Sequence, residues 1–298
     1  MRALVTGATG FVGKHLVAHL HAFGDEVIGV DRECDITDLA SVQAVVKSTQ
    51  PDVVFHLAAF SSVGESWKYA ELCHDVNVNG TSNVLAALRD YAPTAQTLVV
   101  SSSDVYGIVQ ESDLPIAESQ PLRPANPYAE SKVAAEQVSL RAAEEFGQEV
   151  VVVRPFNHIG PGQSTQFVVP ALASRLLEAA RMHRREIIVG DLTARRDFCD
   201  VRDVVRAYRL LATGNFAGQV FNVASGQDIS LGEVAQWLVD EIAPGCELVV
   251  EENLLRPVEL PVMRGDSSKL LSAVGWRSEI DLWTSLRDVI ADLRVATN

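Results

Sequence analysis

The stretch RALVTGATGFVG, residues 2–13, decides the fold. Its short apolar, β-prone run stops at a glycine-rich turn, and an amphipathic helix pattern follows from about Val12 to Phe23. Gly7, Gly10 and Gly13 let the chain turn tightly and let a pyrophosphate approach the backbone N–H groups at the start of the helix. A glycine turn in this position predicts a dinucleotide-binding βα unit.

The rest of the N-terminal half continues to alternate between strand and helix patterns. Val-rich apolar runs predict strands at 26–30, 51–59, 97–103 and 149–155. Amphipathic stretches predict helices at 38–49, 66–92 and 127–146. This alternation is typical of βαβ units, and continuous apolar strands are typical of a sheet covered on both faces. The sequence therefore predicts an α/β fold with a Rossmann-type, doubly wound parallel sheet.

The C-terminal part of the chain is less regular and predicts a smaller second lobe. Beyond Arg154, a Gly/Pro-rich loop at 158–167 interrupts the alternation. We expect residues 1–155 to form a Rossmann NAD(P)-binding domain and residues 156–298 to form mainly a substrate-binding lobe. Segments near 191–226 are expected to pack back onto the first domain.

The charge and hydropathy of the chain argue against some classes of partner. The chain has 298 residues, 47% of them hydrophobic, and a formal net charge of −14 at pH 7. An acidic protein of this kind is not expected to bind nucleic acid or an anionic membrane surface. No apolar run approaches the roughly 18 residues of a membrane-spanning helix, and the first residues lack the pattern of a signal peptide. We expect a soluble, cytoplasmic protein.

The cysteines indicate neither a disulfide framework nor a metal site. Cys34, Cys73, Cys199 and Cys246 lie far apart in the sequence and form no CxxC pair. The ligand spacing of a zinc site is also missing from the sequence. We therefore expect free thiols in a reducing compartment and no metal.

The end of the second predicted strand carries the signal for the type of cofactor. Asp31 follows this strand, 18 residues after Gly13, where a carboxylate can accept hydrogen bonds from the adenosine ribose 2′-OH. This favours NAD(H), because Asp31 would repel a 2′-phosphate; the adjacent Arg32 could pair with that phosphate, so NADP(H) is possible. Asp35 is expected to accept a hydrogen bond from the adenine, and Ile36 to form an apolar wall beside it.

A tyrosine and a lysine at the start of a predicted helix form the candidate catalytic pair. Tyr128 and Lys132 are four residues apart and share a helix face. A free tyrosine has a pKa of about 10, and a neighbouring ammonium group together with the positive nicotinamide of an oxidised cofactor is expected to lower it. Ser102 closes a strand at the edge where ligands bind in open α/β sheets, and it is expected to hydrogen-bond a substrate oxygen beside Tyr128. The Tyr–Lys spacing alone is common on helix surfaces, so the glycine turn upstream is what makes it informative.

Five motifs occur in order along the chain: GATGFVG at 7–13, HLAA at 56–59, NVNGTSNVL at 77–85, SSSDVYG at 101–107 and YAESK at 128–132. Together they resemble the extended short-chain dehydrogenases/reductases of the NAD-dependent epimerase/dehydratase family, over essentially the full length. The resemblance implies that Ser102, Tyr128 and Lys132 are catalytic and that Asn77 supports the active site.

The resemblance also implies two sets of binding residues. Besides Tyr128 and Lys132, the expected cofactor contacts are Gly7, Thr9, Gly10, Phe11, Val12, Gly13, Asp31, Arg32, Asp35, Ile36, Leu57, Ala58 and Ala59. The expected substrate contacts are Ser103, Asp104, Asn157, Arg196, Arg256 and Glu259. The two arginines suit a diphosphate, because a guanidinium group binds phosphate oxygens through two parallel hydrogen bonds.

Three further segments resemble the family's reductases of GDP-linked 4-keto-6-deoxy sugars. These are SSVGESW at 61–67, FNHIGPGQS at 156–164 and RPVELP at 256–261. They imply that NAD(P)H reduces the C4 keto group of GDP-4-keto-6-deoxy-D-mannose, which yields GDP-D-rhamnose. Tyr128 is expected to act as the general acid in this reaction.

Other functions within and outside this class are alternatives. A 4,6-dehydratase of the GDP-mannose type or a 4-epimerase would use tightly bound NAD; Asp104 occupies the place of the dehydratase glutamate and is one methylene shorter. A dinucleotide sensor without activity is an alternative of another kind, against which the intact catalytic set argues. The resemblance also implies a homodimer in which helices 66–92 and 127–146 pair in a four-helix bundle.

Overall fold

The computed structural model describes residues 1–251 and 260–296. Its strands, in chain order, are β1 (Arg2–Thr6), β2 (Glu26–Val30), β3 (Val53–His56), β4 (Gln96–Val100), β5 (Val150–Pro155), β6 (Asn157–Ile159), β7 (Glu186–Val189), β8 (Arg195–Asp200), β9 (Val220–Val223), β10 (Asp228–Ser230), β11 (Glu247–Val250) and β12 (Val262–Met263). Its helices are α1 (Phe11–Ala22), α2 (Leu39–Thr49), α3 (Val63–Ser66), α4 (Ala70–His74), α5 (Gly80–Tyr91), α6 (Pro127–Phe146), α7 (Val168–Met182), α8 (Val201–Ala212), α9 (Leu231–Ile242), α10 (Ser268–Val274) and α11 (Leu282–Ala296).

The central sheet has six parallel strands in the order β2–β1–β3–β4–β5–β9. The chain runs outward in one direction from β1 to β2 and in the other direction from β3 onward, so the order reverses between β1 and β3. The predicted Rossmann-type, doubly wound sheet is therefore confirmed. The last strand, β9, comes from the C-terminal half and pairs with β5, with Val220 opposite Val152. Ligands bind at the carboxyl edge of such a sheet, near the point of reversal.

Both faces of the central sheet are covered by apolar side chains. On one face, Leu16 and Leu20 of α1 and Tyr208 of α8 pack on Phe55 and Phe221 of the strands. On the other face, α2 and α5 pack over β1 and β3 in a second buried cluster. This burial on both sides explains why the strands are almost continuously apolar. Among the helices of residues 1–251 and 260–296, none has both the length and the hydropathy needed to cross a lipid bilayer.

The smaller lobe is built around β8. This strand pairs with β6, with β10 and with β12, while β7 and β11 form a separate two-stranded sheet. Asp197 of β8 is fully buried and accepts hydrogen bonds from the N–H groups of Ser225, Gly226 and Gly265. One carboxylate thus connects three segments that are distant in sequence. The helices α7, α9 and α11 complete the apolar core of this lobe.

One predicted helix differs from the observed structure, and one observed strand was not predicted. The predicted helix 66–92 is interrupted at 67–69 and contains a π-helical turn, Asp75–Asn79. A π turn inserts an extra residue, which a period of 3.6 residues cannot reveal. The strand β8 was not expected, because its sequence RRDFCD lacks the regular alternation of apolar and polar residues.

The helix α6 begins and ends where its sequence predicts. The Asn126 side chain accepts a hydrogen bond from Ala129 N at 2.8 Å, and Pro127 occupies the first helical position. Gly147 ends the helix with φ +65°, a left-handed conformation that glycine adopts without strain. Tyr128 is the second residue of this helix, so the N-cap also stabilises the helical turn in which Tyr128 lies.

We expect Asn126→Ala to lower the free energy of unfolding by about 1 kcal/mol, because the helix loses its cap. Urea denaturation measures this loss. Asp38→Ala, which removes the cap of α2, serves as the control. The two variants should lose similar stability, and only Asn126→Ala should also reduce turnover, since Tyr128 lies in the first turn of α6. Equal turnover in both would show that the cap does not fix Tyr128.

Candidate active site

The glycine turn between β1 and α1 forms a close-packed cradle. Gly7 has φ +72°, and a Cβ atom there would lie 2.9 Å from Ala58 N. A Cβ atom at Gly13 would lie 2.2 Å from Gly7 O. Gly10 caps α1 without a side-chain hydrogen bond, so the first N–H groups of the helix are left for a ligand. An anionic pyrophosphate fits this helix end, where side chains would block its approach.

The carboxylate at the end of β2 is tied directly to this turn. Asp31 Oδ2 accepts hydrogen bonds from Thr9 N at 3.1 Å and from the Thr9 hydroxyl. The structure thus brings together two of the expected cofactor contacts, while Arg32 lies exposed beside them. Asp35 accepts hydrogen bonds from the N–H and hydroxyl of Thr37, and these hydrogen bonds lower its pKa. Ile36 is buried in the core.

The expected cofactor contacts after β3 lie against the same turn. Leu57, Ala58 and Ala59 are half-buried, and Ala58 N donates to Thr6 Oγ1 at 3.2 Å. Phe11, at the start of α1, stacks on the ring of His158 with centroids 6.0 Å apart and planes 6° apart. The start of α1, directly after the glycine turn, is therefore in contact with β6, the strand that leads into the smaller lobe.

His56 is a neutral structural residue rather than an acid or base. Its Nδ1 lies 2.9 Å from Thr6 Oγ1, and its Nε2 lies 3.1 Å from Thr81 Oγ1. Thr81 donates its only hydroxyl proton to Asn77 O at 2.6 Å, so His56 Nε2 must be the donor to Thr81. Burial lowers the pKa of His56 to about 3, which keeps the ring uncharged.

Asn77 joins the exit of β3 to α6. It lies in the π-helical turn and is buried, and its Nδ2 donates to Phe60 O at 3.1 Å and to Ser131 Oγ at 2.8 Å. Ser131 in turn donates to Tyr128 O at 2.7 Å. The extra residue of the π turn thus aims an amide at the helix turn that carries the phenol.

The three expected catalytic residues lie together at the carboxyl end of β4. Lys132 Nζ donates to Val100 O, the last carbonyl of β4, at 2.8 Å and lies 5.9 Å from the centre of the Tyr128 ring. Ser102 lies beside the Tyr128 phenol. The hydroxyl of Ser102 also accepts a hydrogen bond from Asp104 N at 3.2 Å, which fixes its position at the start of a 3₁₀ turn.

The electrostatics of this pair correct one expectation from the sequence. Burial raises the pKa of Tyr128 well above its usual value, the negative charge of Asp104 adds to this effect, and the hydrogen bond with Ser102 opposes it. Burial also lowers the pKa of Lys132 to about 8. Among the protein's own residues, burial is thus the largest effect on the pKa of Tyr128, and it acts opposite to the lowering expected from the sequence. The phenol keeps its proton at neutral pH.

The expected substrate residues fall into two groups. Ser103 is buried and Asp104 half-buried in the turn after β4, whereas Asn157 is exposed at the start of β6, beside β8. Arg196 of β8 is mostly buried, and its Nη1 donates to Arg195 O at 2.9 Å and to Leu260 O at 2.6 Å. These hydrogen bonds hold one edge of the guanidinium group in place.

Two expected substrate residues, Arg256 and Glu259, lie outside the described residues. The sequence analysis also missed a group of buried polar residues directly beneath the site. They are Ser101, Glu136, Arg154, Tyr106 and Asn222. A signal was present, because Glu136 follows Lys132 by four residues and so lies on the inner face of α6, where a carboxylate needs a partner.

The fold and this geometry define a dinucleotide-binding protein with a serine–tyrosine–lysine set at the carboxyl edge of its sheet. The model of the NAD dependent epimerase/dehydratase family matches residues 3–224. The chain belongs to this family, which confirms the resemblance seen in its motifs.

Individual relatives cover nearly the whole chain. GDP-6-deoxy-D-mannose reductase of Pseudomonas aeruginosa is 38% identical over 296 residues, which are 98% of this chain and 96% of the relative. GDP-6-deoxy-D-talose 4-dehydrogenase of Aggregatibacter actinomycetemcomitans is 33% identical over 279 residues, 92% of each chain. The solved structure of RMD from Pseudomonas aeruginosa complexed with NADPH has a TM-score of 0.93 at 38% identity and covers 99% of both chains.

We expect Gly13→Ala to weaken NADPH binding at least about tenfold, because a Cβ atom only 2.2 Å from Gly7 O must displace the turn that faces the pyrophosphate. Titration of NADPH fluorescence measures the affinity. Gly64→Ala is the matched control, since a Cβ atom there meets nothing within 4 Å. An unchanged affinity for NADPH in Gly13→Ala would mean that the pyrophosphate binds elsewhere.

Proposed function

We propose that the protein is an NAD(P)-dependent oxidoreductase that reduces the C4 keto group of GDP-4-keto-6-deoxy-D-mannose to GDP-D-rhamnose. The observation that carries the proposal is the buried, protonated phenol of Tyr128 at the carboxyl edge of the sheet, beside Ser102 and a charged amine. The two relatives named above act on GDP-linked 6-deoxy sugars, which supports a GDP-linked substrate and a reaction at C4.

The residues of the glycine turn fit a dinucleotide cofactor. Gly7, Gly10 and Gly13 would face its pyrophosphate, and Asp31 would accept a hydrogen bond from the adenosine ribose. When bound, the reduced nicotinamide supplies the hydride that C4 receives. Asp31 favours NAD(H), whereas the exposed Arg32 and the NADPH of the Pseudomonas aeruginosa structure support NADP(H). Both reduced cofactors are therefore candidates.

The catalytic side chains of this chain have distinct proposed roles. Tyr128 donates its proton to the C4 oxygen as negative charge develops there, and Ser102 hydrogen-bonds the same oxygen. Because the pKa of Lys132 is lowered only to about 8, its amine is mostly charged at neutral pH. This charge stabilises the phenolate that the proton transfer leaves behind, and the ammonium group also has donors for the nicotinamide ribose.

The smaller lobe would hold the nucleotide diphosphate. We assign Asn157 and Arg196 to the diphosphate, because an exposed amide on β6 and a guanidinium group on the adjacent β8 lie on paired strands. Ser103 and Asp104 follow β4 and would face the sugar. Arg256 and Glu259 are assigned to the same site on the resemblance of their segment alone.

The assembly and location of the protein are part of the proposal. A homodimer through a four-helix bundle of α5 and α6 is the arrangement implied by the family resemblance. Apolar side chains that lead into α5 support an interface there, since Trp67 is 52% and Leu72 is 51% exposed. A cytoplasmic location agrees with the four cysteines, all of which lie in the described ranges as buried free thiols.

The test is to incubate the protein with GDP-4-keto-6-deoxy-D-mannose and either NADH or NADPH, and to identify the product by NMR. GDP-D-rhamnose has H4 axial and shows a large H3–H4 coupling, whereas the C4 epimer, GDP-6-deoxy-D-talose, shows a small one. Tyr128→Phe is expected to reduce turnover by about 10²-fold or more while cofactor binding stays near normal. Consumption of GDP-mannose without added NAD(P)H would instead support the dehydratase.

A second experiment concerns the pH dependence of turnover. The negative charge of Asp104 raises the pKa of Tyr128 by disfavouring the phenolate. Asp104→Asn removes this charge, so the pKa of Tyr128 should fall and the protonated phenol should be lost at lower pH. Deprotonation of Lys132, with a pKa of about 8, should set the first basic limb of the kcat profile. The effect of Asp104→Asn is expected in a second fall of kcat at higher pH, which should move to lower pH in this variant. A second fall that stays in place would contradict its assignment to Tyr128.

A further inference from the structure

A buried ion pair lies beneath the candidate active site, between Glu136 on α6 and Arg154 on β5. Arg154 Nε is 2.9 Å from Glu136 Oε1, and Arg154 Nη2 is 2.6 Å from Glu136 Oε2. Only 6% of the Arg154 side chain and 2% of the Glu136 side chain are exposed. Apolar residues of similar volume are often as stable as such a pair, because both charges must be withdrawn from water. Stability alone therefore does not explain the pair.

The ion pair holds the amino end of the segment that carries Ser102. The Ser101 hydroxyl donates to Glu136 Oε1, and Ser101 N donates to Val153 O of β5 at 2.8 Å. Ser101 is thus connected to α6 by its side chain and to β5 by its main chain. Ser102 is the next residue, so the hydrogen bond between Ser101 and Glu136 also restrains the distance of Ser102 from α6.

The same ion pair holds the other end of this segment. Arg154 Nη1 donates to Tyr106 Oη at 3.0 Å, and Tyr106 Oη donates to Asn222 Oδ1 at 2.7 Å. Tyr106 is fully buried. The intervening residues 102–105, which include three expected site residues, are therefore anchored at both ends to one pair of side chains.

The position of Glu136 along α6 links this anchor to the catalytic pair. Lys132 and Tyr128 precede Glu136 by four and eight residues, which places all three on one face of the helix. The hydrogen bonds that hold Glu136 therefore restrain both the rotation of α6 about its axis and its position along that axis, and with them the position of the Tyr128 phenol. Lys132 makes its own contact with Val100 at the same strand end.

We propose that Ser101, Glu136 and Arg154 form a positioning unit that sets the distance between Ser102 and Tyr128. The unit acts through these two side chains and touches neither substrate nor cofactor. Its effect on rate rests on the proposed function, because it is read from reduction of the keto sugar. Displacing a catalytic group by about 1 Å lowers the rate by up to about 10²-fold, so a small shift is measurable.

The main test compares two Ser→Ala variants. Ser101→Ala removes the hydroxyl that reaches Glu136 and leaves both contacts between Glu136 and Arg154. Ser139 is the matched control: like Ser101 it is buried, but it lies on α6 and its hydroxyl donates to Ala135 O of the same helix at 2.7 Å.

With GDP-4-keto-6-deoxy-D-mannose and NADPH, we expect Ser101→Ala to lower kcat about tenfold or more and to leave KM within about threefold. Ser139→Ala should keep the wild-type kcat, and both variants should have similar thermal midpoints. Equal kcat values in the two variants would overturn the proposal.

An isosteric pair separates the hydroxyl from the volume of the side chain. Thr and Val have nearly the same shape, and only Thr can donate a hydrogen bond to Glu136. Ser101→Thr should therefore keep a higher kcat than Ser101→Val. If the two variants lose activity equally, the role of Ser101 is steric and the proposal is wrong.

Crystal structures of Ser101→Ala and Ser139→Ala test the positioning without any substrate. The separation of Ser102 Oγ and Tyr128 Oη should change by about 0.5 Å or more in Ser101→Ala only. An unchanged separation in Ser101→Ala overturns the positioning unit. A wild-type protein that reduces the keto sugar with neither NADH nor NADPH contradicts the proposed function, and the positioning unit is then judged from the two structures alone.

Discussion

The contact between the first turns of α6 and the carboxyl end of β4 is the constraint on which the site depends. Lys132 Nζ reaches the last carbonyl of the strand, that of Val100, at 2.8 Å. Parallel strands end at one edge of the sheet, so this contact brings the phenol of Tyr128 to the edge where the glycine turn after β1 also lies. The cap of α6 and the buried ion pair of Glu136 and Arg154 help to hold this contact in place.

Burial is the largest electrostatic effect at this edge. The pKa of Lys132 falls from 10.5 to about 8, which means that the charged amine is destabilised relative to the neutral amine by roughly 3 kcal/mol. A single hydrogen bond contributes about 1 kcal/mol net, so the carbonyl of Val100 does not offset this cost alone. Interactions with Cys73 and, to a smaller extent, with Glu136 oppose the shift. At the resulting pKa of about 8 the amine is mostly charged at neutral pH.

The sequence predicted the parts of the site that depend on local rules. Gly7 and Gly13 follow from the needs of a tight turn, and the spacing of Tyr128 and Lys132 follows from the helix period. The π turn around Asn77 was not predicted, because a helix period of 3.6 residues does not reveal an inserted residue. The sign of the pKa shift at Tyr128 was also missed, since sequence spacing reveals a charged neighbour and not the depth of burial.

The raised pKa of Tyr128 bears on the direction of the reaction. A reductase needs a phenol that holds its proton until the C4 oxygen takes it, and burial together with Asp104 provides this. A dehydratase or epimerase begins by oxidising the sugar, so it needs the phenolate to accept a proton from the C4 hydroxyl. Here the desolvation of Tyr128 and the negative charge of Asp104 both act against the phenolate. The electrostatics of this chain's own residues thus act in the direction that a reductase requires.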